Sequence, residues 1–137
     1  CYITCNSEPF YRVLADSIIK VETGSEIITG STRMKAGTAT KMVLNMISTT
    51  TMIKLGKVYG NLMVDLMAVN KKLMDRGTRI ISQITNTDYE FAHQKLIESD
   101  KSVKRAIIMI KKNCSSDQAE LKLEKAEGFI GKVLKES

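Results

Sequence analysis

"CYITCNSEPFYRVLADSIIKVE", residues 1–22, is the stretch on which the fold class turns. Its two ends, CYITC (1–5) and SIIKVE (17–22), are short runs rich in β-branched residues, and both read as strands. Between them SEPFYRVLAD predicts a short helix, with Ser7 as N-cap and Pro9 in the first turn. Strand, short helix, strand is the end of a parallel α/β sheet. Two strands make a poor sheet, so further strands are expected ahead of Cys1. The chain, which opens on Cys rather than Met, is therefore expected to start partway through a larger fold.

Past Gly37 the periodicity becomes helical. Ala39, Met42, Val43, Met46, Ile47, Thr50 and Ile53 recur at i, i+3, i+4, i+7, and Leu44, Met52 and Leu55 widen the stripe. A helix this apolar is expected to be buried on most sides. The glycines of LGKVYG (55–60) end it, and a second helix of about 24 residues is expected next, with Leu62, Leu66, Val69, Leu73, Ile80 and Ile84 on one face and Gly77 interrupting the stripe. Met42, Met46, Met52, Met63, Met67 and Met74 fit as core filler, with an adaptable binding surface as the lesser alternative. Asn61, Asp65 and Asn70, polar residues on that second helix, are expected to make structural hydrogen bonds.

Residues 87–137 read as three short helices. Thr87-x-x-Glu90 and Ser115-x-x-Gln118 have capping-box spacing and set helix starts near residues 88 and 116. Val103, Ala106, Ile107 and Ile110 face inward from the middle helix. Leu96, Ile97, Leu121, Leu123, Phe129, Ile130, Val133 and Leu134 complete a small satellite core. The expected division is thus 1–86, the end of an α/β domain, and 87–137, a helical subdomain.

The composition excludes several classes. Hydrophobic residues are 43% of the 137, so one ordinary core can be buried. Lys and Arg number 21 against 15 Asp and Glu, a formal charge of +6 that favours anionic partners. The charge is dispersed, aromatics are 5% and Trp is absent, which argues against nucleic acid, whose readers interleave cations with stacking rings. No apolar run is long enough to span a membrane, and no membrane partner is expected. Cys1, Cys5 and Cys114 have no disulfide framework spacing, which suggests a reducing cytoplasm. No zinc set is present either: Cys1-x-x-x-Cys5 lacks a second pair, and His93 lies far off as an ordinary surface residue.

One stretch carries chemistry. Residues 30–38, GSTRMKAGT, place Ser31, Thr32, Arg33, Lys35 and Thr38 around two glycines just ahead of the apolar helix. Hydroxyls, fixed cations and glycines before a helix N-terminus suit a phosphate monoester. Neither the Walker order nor Gly-x-Gly-x-x-Gly is present, so neither a nucleotide triphosphate nor a dinucleotide is called for. An equal alternative has Ser31 and Thr32 capping a turn while Arg33 and Lys35 face solvent. Glu26, just before the loop, suits an acid, a base or a sugar-hydroxyl acceptor, and equally a first-turn helix carboxylate.

The string TGSEIITGSTRMKAGTATKMVLNMISTTTMIKLGKVYGNLMVD, residues 23–65, closely resembles the C-terminal half of the N-acetylmuramic acid 6-phosphate etherases, bacterial members of the sugar isomerase (SIS) superfamily. The resemblance extends through AVNKKL (68–73), SVKRAIIMI (102–110) and GFIGKVL (128–134). It implies a partial doubly wound parallel SIS-type sheet with long buried helices, followed by a small three-helix C-terminal subdomain. It also implies a cytoplasmic homodimer, without metal or organic cofactor, that cleaves the D-lactyl ether of a sugar phosphate to N-acetylglucosamine 6-phosphate and D-lactate in cell-wall recycling. The implied route is elimination then hydration: a glutamate removes a proton, lactate leaves, and water adds back. Substrate-binding candidates are Glu26, Ser31, Thr32, Arg33, Lys35 and Thr38, the last five for the 6-phosphate or the lactyl carboxylate. The acid/base glutamates of the family pattern are expected upstream of Cys1, so the isolated chain is expected to be inactive. A non-catalytic sugar-phosphate-binding SIS regulatory module, similar over the same motif, is the alternative, and a basic nucleic-acid-binding helical protein is a third.

Overall fold

The computed structural model describes residues 1–8 and 14–135, and the chain divides into two units, residues 1–51 and 52–137. The class is mixed α/β, mostly helical, with six helices and two small sheets among the described residues.

In the first unit, β1 (Tyr2–Thr4) and β2 (Ile18–Lys20) pair in parallel with Tyr2 opposite Ile18 and Thr4 opposite Lys20. Both expected strands are present, and the parallel pairing requires a crossover between them. The short helix expected between them falls partly on residues 9–13, outside the described residues. Long α1 (Lys35–Lys54) begins where the apolar periodicity begins. Its burial is a correction: Val43 is buried, whereas Met42, Leu44, Met46, Ile47, Met52 and Ile53 are exposed. Apolar residues spread around the whole helix call for cover on several sides, and among the described residues that cover buries Val43 alone.

In the second unit a Schellman turn closes α1: Lys57 N–H donates to Met52 O (3.1 Å), Gly56 N–H donates to Ile53 O (3.0 Å), and Gly56 takes φ +69°. The hairpin of β3 (Val58–Tyr59) and β4 (Leu62–Met63) follows, turning at Gly60-Asn61 with Gly60 at φ +59°. The long helix expected over these residues is absent. Leu62, Val64, Leu66 and Ala68 face inward while Met63, Asp65, Met67 and Val69 are outside, so the period here is two and the segment is extended. Ala68 N–H donates to Lys101 O, Val103 N–H donates to Leu66 O, and Met67 bridges Ser102. The helical part is α2 (Lys71–Thr85), N-capped by Asn70, whose side chain accepts from Leu73 N–H at 2.9 Å.

After α2 come α3 (Tyr89–Glu98), α4 (Val103–Lys112), α5 (Ser116–Lys125) and the short α6 (Ile130–Lys135), one helix more than expected. The Ser115 and Gln118 capping box forms as read, whereas α3 is capped by Asp88 rather than Thr87. Thr87 instead exchanges a hydroxyl hydrogen bond with Thr85. On α4 the neighbours Ile107 and Ile108 are both fully buried, as they must be when helices cover more than one side. Core residues from α2, α3, α4, α5 and α6 form one cluster, so 86 and 87 lie between two helices that pack together. Gly77 permits that approach: a Cβ there would stand 2.9 Å from Val103 Cγ2 and 3.2 Å from Leu96 Cδ2. Ile97 and Leu121, expected in the core, are exposed, as are Met63 and Met67, while Met74 packs against it. His93 is half-buried and stacks on Tyr89.

Candidate functional site

The candidate loop is held by its own backbone and by Glu26. The Glu26 carboxylate accepts from two successive amides at the start of α1: Oε2 from Lys35 N–H (3.1 Å) and Oε1 from Ala36 N–H (3.0 Å). Thr32 O accepts from Gly37 N–H at 2.8 Å, and Met34 O accepts from Thr38 N–H at 3.1 Å. The four leading amides of α1 are therefore already bonded inside the protein. Glu26 lies outside α1, whose first turn holds no acidic residue, and its carboxylate reaches the leading amides from upstream of the helix. The Ala36 and Lys35 amides hold its carboxyl below the ordinary value, against desolvation and aided by the Lys35 charge, so it stays ionised at neutral pH.

Lys35 also turns inward on the loop. Its ammonium donates to Ser25 O at 2.7 Å, closing residues 25–35 from the other side. Ser31 and Arg33 line a depression of about 170 Å³ together with Ile27, Ile28 and Met34. Thr32 is exposed and contributes its carbonyl to the loop, and Thr38 is exposed one turn into α1. The six candidates thus separate: Glu26 and Lys35 meet through the backbone, Ser31 and Arg33 share a depression, and Thr32 and Thr38 flank them.

A second, larger cavity of about 370 Å³ escaped the sequence reading. Cys5, Asn6, Ser7, Glu22, Gly24 and Ser25 line it. These residues follow β1 and β2 directly, at the carboxyl ends of parallel strands, where α/β sheets take ligands. Strand direction was the signal that would have found them. The cavity adjoins the loop through Ser25, and the Cys5 thiol lies 3.5 Å from Ala36 O and 3.6 Å from Thr40 Oγ1 in α1.

In the second unit, Asp65 takes the structural role expected of it, pairing with Lys57 (2.6 Å) and with Lys104 (3.2 Å). Lys104 is buried and donates to Gly128 O at 2.9 Å. Desolvation pushes the Asp65 carboxyl up, and hydrogen bonds from Lys57 and Lys104 outweigh it, leaving the carboxyl below the ordinary value. Among the described residues no group of three or more His, Cys, Asp and Glu is placed to hold a metal, and no helix is long and apolar enough to cross a membrane.

These features define a segment of an α/β protein with a polar pocket at the ends of parallel strands beside a carboxylate-capped helix. Comparison with known proteins narrows the class. No family model matches the chain. It is 57% identical to the N-acetylmuramic acid 6-phosphate etherase of Oceanobacillus iheyensis over 120 residues, covering 88% of this chain and 41% of that protein. Proteins of the same name from Shouchella clausii and Mycolicibacterium smegmatis are each 51% identical, over 96% and 93% of this chain and 45% and 43% of their own lengths. The chain is homologous to part of the N-acetylmuramic acid 6-phosphate etherases and spans less than half the length of these curated relatives.

Proposed function

We propose that the chain is the C-terminal part of an etherase that cleaves the D-lactyl ether of N-acetylmuramic acid 6-phosphate, releasing D-lactate and N-acetylglucosamine 6-phosphate. The observation that carries this reading is identity of 47–57% to proteins of that name over 88–96% of the chain. The site chemistry is compatible with it. A polar cavity at strand ends suits a sugar, and a depression lined by Arg33, Ser31 and three apolar side chains suits a small anion that also carries a methyl group. Among the candidates Glu26, Ser31, Thr32, Arg33, Lys35 and Thr38, the hydroxyls and Arg33 are the groups suited to meet the substrate anions directly.

Within this reading β1 and β2 are the end of a doubly wound SIS-type sheet. Residues 1–86 close that α/β domain, and 87–137 form a helical subdomain whose core α2 shares. The exposed apolar residues of α1 support a larger fold around them. The working enzyme is then a cytoplasmic homodimer, with acid/base glutamates outside this chain, and residues 1–137 alone are inactive. The regulatory-module alternative gains nothing from relatives that carry an enzyme's name.

The test is lactate release from N-acetylmuramic acid 6-phosphate by the full-length protein, with Arg33→Ala beside it. Release by the parent that collapses in the variant supports the reading and the loop's place in the site. Sugar-phosphate binding without release by the parent points to the regulatory module instead.

A further inference from the structure

We propose that Glu26 and Lys35 are positioning residues that latch residues 25–36 into one shape, and that neither contacts the substrate anion. This deepens the etherase reading and rests on it for the identity of the substrate. Glu26 spans ten residues to hold two consecutive amides at the start of α1. Lys35 spans the same gap in the opposite sense, from its side chain to Ser25 O. Two reciprocal bridges across one loop fix both of its ends, and Gly37 N–H on Thr32 O ties its middle to the helix.

The arrangement also has an electrostatic consequence. A helix N-terminus attracts anions because its first amides lack partners and carry partial positive charge. Here a carboxylate already occupies them, so a phosphate or carboxylate brought to the same place would meet like charge. The latch therefore moves anion recognition off the helix end and onto Ser31, Thr32 and Arg33, presented on the loop that it closes. Gly37 belongs to the same design: a Cβ there would lie 3.2 Å from Thr32 O, the acceptor that brings the loop back to α1.

The experiment uses the full-length protein in ligand-free form and with N-acetylmuramic acid 6-phosphate, comparing Glu26→Gln, Glu26→Ala, Lys35→Ala and Lys35→Arg. Hydrogen exchange at the Lys35 and Ala36 amides is expected to accelerate about tenfold or more in Glu26→Ala, and less in Glu26→Gln, which keeps one acceptor. Steady-state kinetics are expected to show KM raised about tenfold with kcat held within about threefold, because a loosened loop presents the same groups in fewer molecules. Lys35→Arg, which keeps a donor for Ser25 O, is expected to restore most of what Lys35→Ala loses. Unchanged exchange in Glu26→Ala, or a loss of kcat at constant KM, overturns the proposal. If the parent releases no lactate the etherase reading fails by itself, while the exchange measurement still decides whether the latch exists.

Discussion

Substituting Gly56 tests the closure of the second unit most sharply, because two separate costs meet there and a second glycine isolates one of them. Gly56 is the left-handed residue of the Schellman turn after α1, at φ +69°. Any Cβ in that conformation costs about 1–2 kcal/mol. At Gly56 the added carbon would also stand 3.0 Å from Phe129 Cγ and 3.1 Å from Gly128 O. Phe129 can shift, but the Gly128 carbonyl is backbone and also accepts from the buried Lys104. Overpacking of this kind costs about 1–3 kcal/mol. Gly56→Ala is therefore expected to destabilise by about 2–5 kcal/mol.

Gly60 has φ +59° and nothing within 4 Å of its would-be Cβ, so Gly60→Ala should cost the conformational part alone, about 1–2 kcal/mol. Urea unfolding followed by circular dichroism measures both, and thermal melts should separate them at roughly 4 °C per kcal/mol. Asparagine sharpens the comparison, because it tolerates the left-handed region: Gly60→Asn should be nearly neutral while Gly56→Asn stays destabilised. Equal losses at the two positions would refute the packing of residues 128 and 129 against the end of α1.

Further expectations follow from the same unit. Glu127 is a non-glycine residue at φ +54°, with Gly128 N–H on Leu123 O and its own N–H on Glu124 O, so Glu127→Gly should stabilise by up to about 1 kcal/mol in urea unfolding, its exposed pairing with Lys132 adding little. Lys104→Met fills a similar volume but leaves Gly128 O without its donor and Asp65 with Lys57 alone, so it should cost about 1–3 kcal/mol by the same measurement. The folded-state carboxyl of Asp65 sits below its ordinary 3.8, so the unfolded chain takes up its proton first as pH falls. The stability from Asp65 should be complete above that value and drain away as pH drops through the lower folded value. Asp65→Asn should flatten the fall in stability across that acid range, and an unchanged slope would remove Asp65 from the account.

How far the sequence could be read depended on which periodicity was unambiguous. Strands at both ends of residues 1–22, the start of α1, the break at residues 55–60 and the Ser115 capping box were all legible because local chemistry alone determines them. The segment 62–69 was not. Leu62, Leu66 and Val69 satisfy a helical spacing, yet Leu62, Val64, Leu66 and Ala68 satisfy an alternating one equally well. The tie is decided by the Gly60-Asn61 turn before them and the Asn70 cap after them. The exposure of α1 is illegible for another reason: an apolar composition states what a helix avoids, and which surface covers it is not written locally.

The candidate site shows the same limit in its electrostatics. Ser31, Thr32, Arg33, Lys35 and two glycines ahead of a helix have the makings of an anion pocket, but the inventory of donors does not say which are already committed. Glu26 commits the Lys35 and Ala36 amides, and the Ser25 carbonyl commits the Lys35 ammonium. A carboxylate nine positions upstream of the helix start is visible in the sequence, but its bonds to those amides are not, because it lies outside the first turn that local spacing addresses. Ser31 and Arg33 line the depression, with its apolar wall of Ile27, Ile28 and Met34, and Thr32 is exposed between them in the sequence. On the proposed reading, recognition rests on a cation and hydroxyls against an apolar surface rather than on a nest of amides. Such a surface should discriminate among anions by the group attached to the charge more than by the charge itself.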